Sequence, residues 1–349
     1  MPALAVGREL RRLAPDLEIL YIGAGASIEE RLAKVEDYRF EAVSISPLRR
    51  GVLLPNVMVP FKAVYSVIEA MWLLNRNGAV GVFGSGGFSC WPACAAARQL
   101  RLPYFLEDGN AYPGLVTRLL AKKATRIYTA YEETSRHLKI ANDKVVLAGI
   151  PVSSRIGGGD AVSARRELGL DESRFTILAT GGSGGSKTIN RAVGEAETRL
   201  LDKGFNLIWQ TGKQMETLPT ISSEQRTRLL VERFLEPPRM ALALRACDLA
   251  ITRCGMMSLA ELAVAGKPAI LIPFPYSAEG HQEANAKAVS AAGAGEMVLD
   301  KDFNADRLME LVEHLSNPDR YEKATTAMKS LAKPDAASKI AENILKCLG

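Results

Sequence analysis

The sequence predicts an α/β protein of two Rossmann-like, doubly wound domains with an interdomain cleft. Three observations carry this: short apolar runs alternate with longer helix-compatible stretches, the series occurs twice, and glycine turns follow several runs. A length of 349 residues leaves room for two cores. Ligands of such sheets sit outside the carboxyl ends of the strands.

Taken in order, "MPALAVGRELRRLAP" is helical from its first residues, with Leu4, Ala5, Leu10 and Leu13 able to share a face. A doubly wound domain ordinarily opens with a strand, so a first strand and its glycine loop are expected and not found at that place. Strand-like runs follow at "LEILYIG" (17–23), "GAVGVFG" (78–84), "LPYFLED" (102–108), "RIYTAY" (126–131) and "KVVLAGIPV" (144–152). "SSRIGGGDAVS", rich in serine and glycine and without apolar periodicity, reads as a linker. The second series is "FTILATGG", "NLIWQTG", "RLLVERFL", "LAITRCG", "PAILIPFP" and "GEMVLD". The expected domains are residues 1–152 and 153–330, with 331–349 a terminal helix packing back on the first.

Hydrophobic residues make up 47% and charged residues 24%, a globular composition and not a disordered one. The net charge of +5 suits an anionic membrane face or a phosphorylated substrate. No basic stripe interleaved with aromatics points to nucleic acid. The five cysteines form no C-x-x-C pair and there are three histidines, so free thiols are expected and no zinc site. No signal peptide is evident, and no apolar run is long enough to cross a bilayer.

"ILATGGSGGSKTIN" (177–190) is one residue short of a P-loop: G-x-x-x-x-G-K-[ST] requires glycine where Ser186 stands. Its glycines permit close approach of backbone to an anion, and the following helix offers free amides. A tight turn whose glycines only clear packing explains the same residues. An NTPase would need a magnesium-binding Asp at a strand end, whereas Asp248 precedes its strand. Lys187 then reads as a helix-surface residue.

A second turn, "LAITRCGMMSLAELAVAGKPAILIPFP", starts a helix at Gly255, Met256, Met257 and Ser258, with Glu261 one turn in. A carboxylate there suits vicinal hydroxyls such as those of a ribose; a favourable charge near a helix N-terminus is the plainer reading. In "PYSAEGHQEANAKAV", His281, Gln282 and Asn285 gather on a starting helix, as a reader of sugar hydroxyls or as a solvated face. In the first half, "GVFGSGGFSCWP" and "EDGNAYPGL" are glycine and polar breaks at strand ends. "LLPNVMVPFKAVYSVIEAMWLLNRN" (53–77) carries Phe61, Val64, Ile68, Met71 and Trp72 at helical spacing beside Lys62 and Arg76. That stripe either faces the core or lies on an interface.

Together, "GGSGGSKTIN", "RCGMMSLAELAVAGKPAILIPFP", "HQEANA", "NAYPGL" and the late "KPDAASKIAENIL", in this order, resemble the MurG family along almost the whole chain. These are GT-B glycosyltransferases that move N-acetylglucosamine from UDP-GlcNAc to undecaprenyl-pyrophosphoryl-MurNAc-pentapeptide (lipid I), forming lipid II. The resemblance implies that Glu261 holds the uridine ribose and that Gly255, Met256, Met257 and Ser258 receive the diphosphate, Met256 near the sugar. It implies Ser183 and Gly184 on the donor side, with His281, Gln282 and Asn285 at the donor sugar. Gly86, Gly87 and Asn110 are expected on the acceptor side. The implied reaction inverts the anomeric centre without a cofactor or bound metal, and the implied location is peripheral, on the cytoplasmic face of the bacterial inner membrane. The family's first glycine loop, with a histidine that is its candidate base, would stand before Pro2, so the general base is unassigned. Phe88, Cys90, Gly109, Ile150 and Ser153 depart from the family's usual residues. A different lipid acceptor, or an inactive UDP-sugar-binding protein, are the alternatives those departures leave open.

Overall fold

A computed structural model describes the chain except residues 1, 46–58, 111, 139, 141, 154, 155, 157, 214, 216–221, 223, 278 and 279. The chain divides into two compact units, one of Met1–Ser153 with Pro334–Gly349 and one of Ser154–Lys333.

The first unit carries strands β1 (Leu20–Ala24), β2 (Arg39–Val43), β3 (Val82–Gly84), β4 (Tyr104–Asp108), β5 (Arg126–Thr129) and β6 (Val145–Leu147). Its helices are α1 (Pro2–Leu13), α2 (Ile28–Val35), α3 (Val59–Arg76), α4 (Trp91–Leu100), α5 (Leu115–Leu120) and α6 (Glu132–Leu138). The expected strand runs all contain a strand; β2, "RFEAV", was not anticipated. Only Val43 of β2 is buried, so the strand lacks the continuous apolar run of an interior strand.

Strands β3 to β6 form one parallel sheet in chain order, and β1 and β2 a separate parallel pair. Among the described residues no strand joins β1 to β3. Along β4, Tyr104 and Leu106 point toward α4 and Ala70 and Leu74 of α3. Phe105, on the opposite face, packs with Val6 and Leu10 of α1 and with Ile340 and Ile344 near the C-terminus. Helix α3 buries Ser66, Ala70, Leu73 and Leu74 and exposes Phe61, Val64, Tyr65, Ile68 and Trp72. Of the stripe read from the sequence, Met71 alone turns to the core. Trp91 braces α3 by donating from Nε1 to Ala63 O at 3.3 Å. Residues 53–58 of that stretch lie outside the described ones.

The second unit holds β7 (Thr176–Thr180), β8 (Asn206–Gln210), β9 (Leu229–Glu232), β10 (Leu249–Thr252), β11 (Ala269–Leu271) and β12 (Gly295–Met297). Between and after them run α7 (Ala161–Glu167), α8 (Lys187–Asp202), α9 (Pro237–Ala246), α10 (Met256–Ala265), α11 (His281–Ala291), α12 (Ala305–Ser316) and α13 (Pro318–Ser330). A last helix, α14 (Ala336–Leu348), belongs to the first unit. All pairings in the sheet are parallel, in the order β12-β11-β10-β7-β8-β9. Every residue of β7 and β8 is buried, which is why both read as unbroken apolar runs. Ile177, Leu207 and Trp209 face α8 and α12; Leu178, Ile208 and Leu271 face α9, α10 and α13. Both faces are thus covered by helices.

The order of strands fixes where a ligand can bind. From β7 the chain proceeds outward through β8 and β9, then returns to the other side of β7 for β10. Their neighbouring carboxyl ends form a topological switch point, where the loops diverge and leave a crevice. No helix among the described residues is long and apolar enough to cross a membrane. All five cysteines are free, three of them buried.

Candidate functional site

At the switch point, the glycine loop after β7 stands beside the turn after β10. Its glycines do two jobs. Gly185 has φ 79°, and a Cβ there would run into Thr211 O beyond β8. Gly182, also at φ 79°, and Gly184 face open space, and Ser183 and Gly184 are exposed. Gly185 therefore clears packing, whereas Gly182 and Gly184 leave space open beside the loop. Within it, Gly182 N donates to Thr180 Oγ1 at 3.1 Å and Gly185 N to Gly182 O at 3.1 Å. Ser186 caps α8, accepting from Ile189 N at 3.2 Å. Lys187 begins the helix and is exposed.

Helix α10 begins differently. Gly255 is its N-cap and supplies no side-chain acceptor, so the first-turn amides of Met256, Met257 and Ser258 are left without a side-chain cap. Uncapped amides at a helix start, with the positive end of the macrodipole behind them, are an anion receptor. Glu261 follows on the same helix, part-buried, and loss of hydration pushes its carboxyl up to about 7.

Helix α11 supports this turn from below. Gln282 Oε1 accepts from Cys254 N at 3.1 Å and from Phe274 N at 3.0 Å. Asn285 Nδ2 donates to Cys254 O at 3.2 Å. His281 and Gln282 are part-exposed in the first turn, but Asn285 is fully buried. The anticipated group of three outward polar side chains is therefore two at the surface and one inside, because the turn's own carbonyl needed a donor. Asp248 is also structural: it pairs with Arg165 at 2.6 Å and accepts from Thr176 N at 2.7 Å. That removes the one carboxylate near β10 considered for a magnesium site.

One residue was missed. Arg253 was read only as part of a turn, yet its guanidinium reaches Ser186, two carbonyls past β11 and Asp300. Those partners are dispersed along the sequence, so no local pattern announces them.

In the first unit, Gly86 and Gly87 have φ 77° and 71°, and a Cβ on Gly86 would lie 3.3 Å from Glu107 O. The glycine turn after β3 therefore packs on the end of β4. There Asp108 folds the next loop, accepting from Asn110 N at 3.2 Å, Asn110 Nδ2 at 3.0 Å and Gly114 N at 2.7 Å. Glu107 is fully buried, and among the described residues neither carboxylate oxygen has a hydrogen-bond partner. Burial, and secondarily the charge of Asp108, hold it well above the usual carboxylate range. Of the departing residues, Phe88 is exposed, Cys90 Sγ donates to Gly87 O at 3.3 Å, Ile150 is buried, and Ser153 Oγ accepts from Arg8 Nη1 at 2.7 Å.

Comparison with known proteins adds family to geometry. The glycosyltransferase family 28 N-terminal domain matches residues 1–129 and the C-terminal domain of that family residues 176–341. A protein of Desulfitobacterium hafniense (strain Y51) is 35% identical over 347 residues, covering 97% of this chain and 93% of its own. A Bacillus pumilus (strain SAFR-032) protein is 30% identical over 349 residues, covering 99% and 94%. Both are named UDP-N-acetylglucosamine–N-acetylmuramyl-(pentapeptide) pyrophosphoryl-undecaprenol N-acetylglucosamine transferase. The crystal structure of Acinetobacter baumannii MurG shares the fold, with a TM-score of 0.71 and 24% identity over 99% of this chain and 95% of that one. Similarity of this extent to the named relatives, across both domains, makes the chain a member of the MurG family of glycosyltransferases.

Proposed function

We propose that this protein transfers N-acetylglucosamine from UDP-GlcNAc to undecaprenyl-pyrophosphoryl-MurNAc-pentapeptide, forming lipid II. The observation that carries the reading is near-full-length similarity to transferases named for that reaction, in a chain whose switch point has the parts it needs. UDP lies with its diphosphate against the uncapped start of α10 and the open side of the loop at Ser183 and Gly184. Its ribose hydroxyls donate to Glu261, and His281 and Gln282 stand on the sugar side.

The chemistry follows from charge. The acceptor hydroxyl attacks the anomeric carbon from one face while UDP departs from the other, inverting its configuration. Negative charge grows on the departing diphosphate, and fixed amide dipoles stabilise it without reorganising during the reaction. The acceptor belongs to the first unit, around Gly86, Gly87 and Asn110.

A lipid acceptor requires contact with a membrane surface. The exposed face of α3 supplies large apolar side chains, and the Arg76 guanidinium lies 4.9 Å over the Trp72 ring. Several exposed apolar residues on one helix face, with a cation beside them, suit shallow insertion into an anionic leaflet. The protein then works peripherally, on the cytoplasmic side where UDP-sugars are present.

Incubation with radiolabelled UDP-GlcNAc and lipid I tests the reaction: label should enter the lipid, with one UDP released per transfer. UDP binding with no label in lipid I would refute it, and label entering another polyprenyl-linked acceptor in a parallel panel would reassign the acceptor.

A further inference from the structure

The guanidinium of Arg253 joins the carboxyl ends of four adjacent strands. Its Nη2 donates to Ser186 Oγ at 2.7 Å, the residue that caps α8 after β7. Its Nη1 donates to Ile272 O at 3.2 Å and Pro273 O at 3.3 Å, just past β11. The same nitrogen lies 2.5 Å from Asp300 Oδ1, in the segment after β12, a charge contact without hydrogen-bond alignment. Asp300 Oδ2 accepts from Thr188 Oγ1 at 2.9 Å, in the first turn of α8. Arg253 itself directly follows β10, and Gly255, two residues on, is the N-cap of α10. Both charged side chains are largely covered, at 13% and 22% exposure.

The arrangement matters because amide dipoles are directional. Two helix starts can share one diphosphate only if their separation is held within hydrogen-bond tolerance. A planar guanidinium with donors fixed in a fork suits that task; a lysine, with one mobile ammonium, does not. We propose that Arg253 is a positioning residue, locking the starts of α8 and α10 at one separation, and that Asp300 fixes it there. This rests on the donor-site reading above. Its competitor is that Arg253 is a direct ligand of the diphosphate, held in reserve by Asp300.

The two roles differ in sign when Asp300 is neutralised. Calorimetric titrations of UDP and of uridine into the wild-type protein, Asp300→Asn and Thr188→Val separate them. A positioning role predicts that Asp300→Asn weakens UDP about tenfold and Thr188→Val about threefold, with uridine, which lacks the diphosphate, held within about twofold. A phosphate ligand released from its counter-charge would bind UDP more tightly in Asp300→Asn. Unchanged or tighter UDP binding in either folded variant overturns the proposal, as does equal loss of uridine and UDP, which marks general damage. If Asp300→Asn does not fold, Thr188→Val, a near-isosteric change, decides by the same sign. Failure of the wild-type protein to bind UDP overturns the donor-site reading, and this inference with it.

Discussion

Glu261 and Glu107 are both carboxyls deprived of water, and they differ in what a ligand offers them. Glu261 has its carboxyl pushed up to about 7 and sits one turn inside α10, where the proposed function places the ribose. Hydroxyls donate best to the ionised form, so uridine should bind more tightly at pH 8 than at pH 6. Glu261→Gln should weaken uridine about tenfold at pH 8 and flatten that dependence, as read by calorimetry. Uridine is the better probe because it has no phosphate titrating in this range. Glu107 is fully buried, and among the described residues its carboxylate has no hydrogen-bond partner. Its pKa in the folded state is raised, so the unfolded chain gives up this proton at a lower pH than the native one. The stability associated with it is present below the unfolded pKa and lost as pH rises through the folded one. Glu107→Gln, which keeps the shape without the proton, should melt close to wild type at pH 5 and higher than wild type at pH 8. Equal melting shifts at both pH values would contradict that assignment.

Elements differed in how plainly the sequence announced them, for physical reasons. Strands β7, β8 and β10, buried on both faces, read as unbroken apolar runs between helices. Strand β2 is mostly uncovered and polar, so "RFEAV" carried no such signal. The apolar stripe of α3 was legible, but periodicity specifies a stripe and not what it faces. In the structure Phe61, Ile68 and Trp72 point to solvent, while Met71 points inward. Burying one such side chain in lipid is worth about 1.5–3 kcal/mol, or roughly tenfold or more in affinity. The double variant Ile68→Ser/Trp72→Ser should therefore lose at least about tenfold of its partitioning onto vesicles containing phosphatidylglycerol. Its KM for lipid I should rise while its affinity for UDP does not. Vesicle cosedimentation checks the first expectation, and unchanged partitioning would remove α3 from the membrane contact.

At the scale of the whole molecule, the proposed function divides the task between the two units, with the donor on residues of the second and acceptor and membrane on residues of the first. The helix start at the proposed donor site was readable because Gly255 to Glu261 lie within one helical turn or two, on a motif contiguous in sequence. Arg253 and its partners were not, because sheet order, and not sequence proximity, brings Ser186, Ile272 and Asp300 to one guanidinium. The acceptor side was the less legible for a similar reason: Asn110 and Gly86 acquire their setting from the end of β4, where Asp108 organises the loop. A division of this kind means that donor binding should depend on Glu261 and the braced turns around it, and on nothing in α3. Calorimetric titration of UDP into the wild-type protein and into Glu261→Ala measures this most directly. One UDP per chain, bound at least about tenfold more weakly after the substitution, is the predicted result; equal affinity in the two proteins would contradict it.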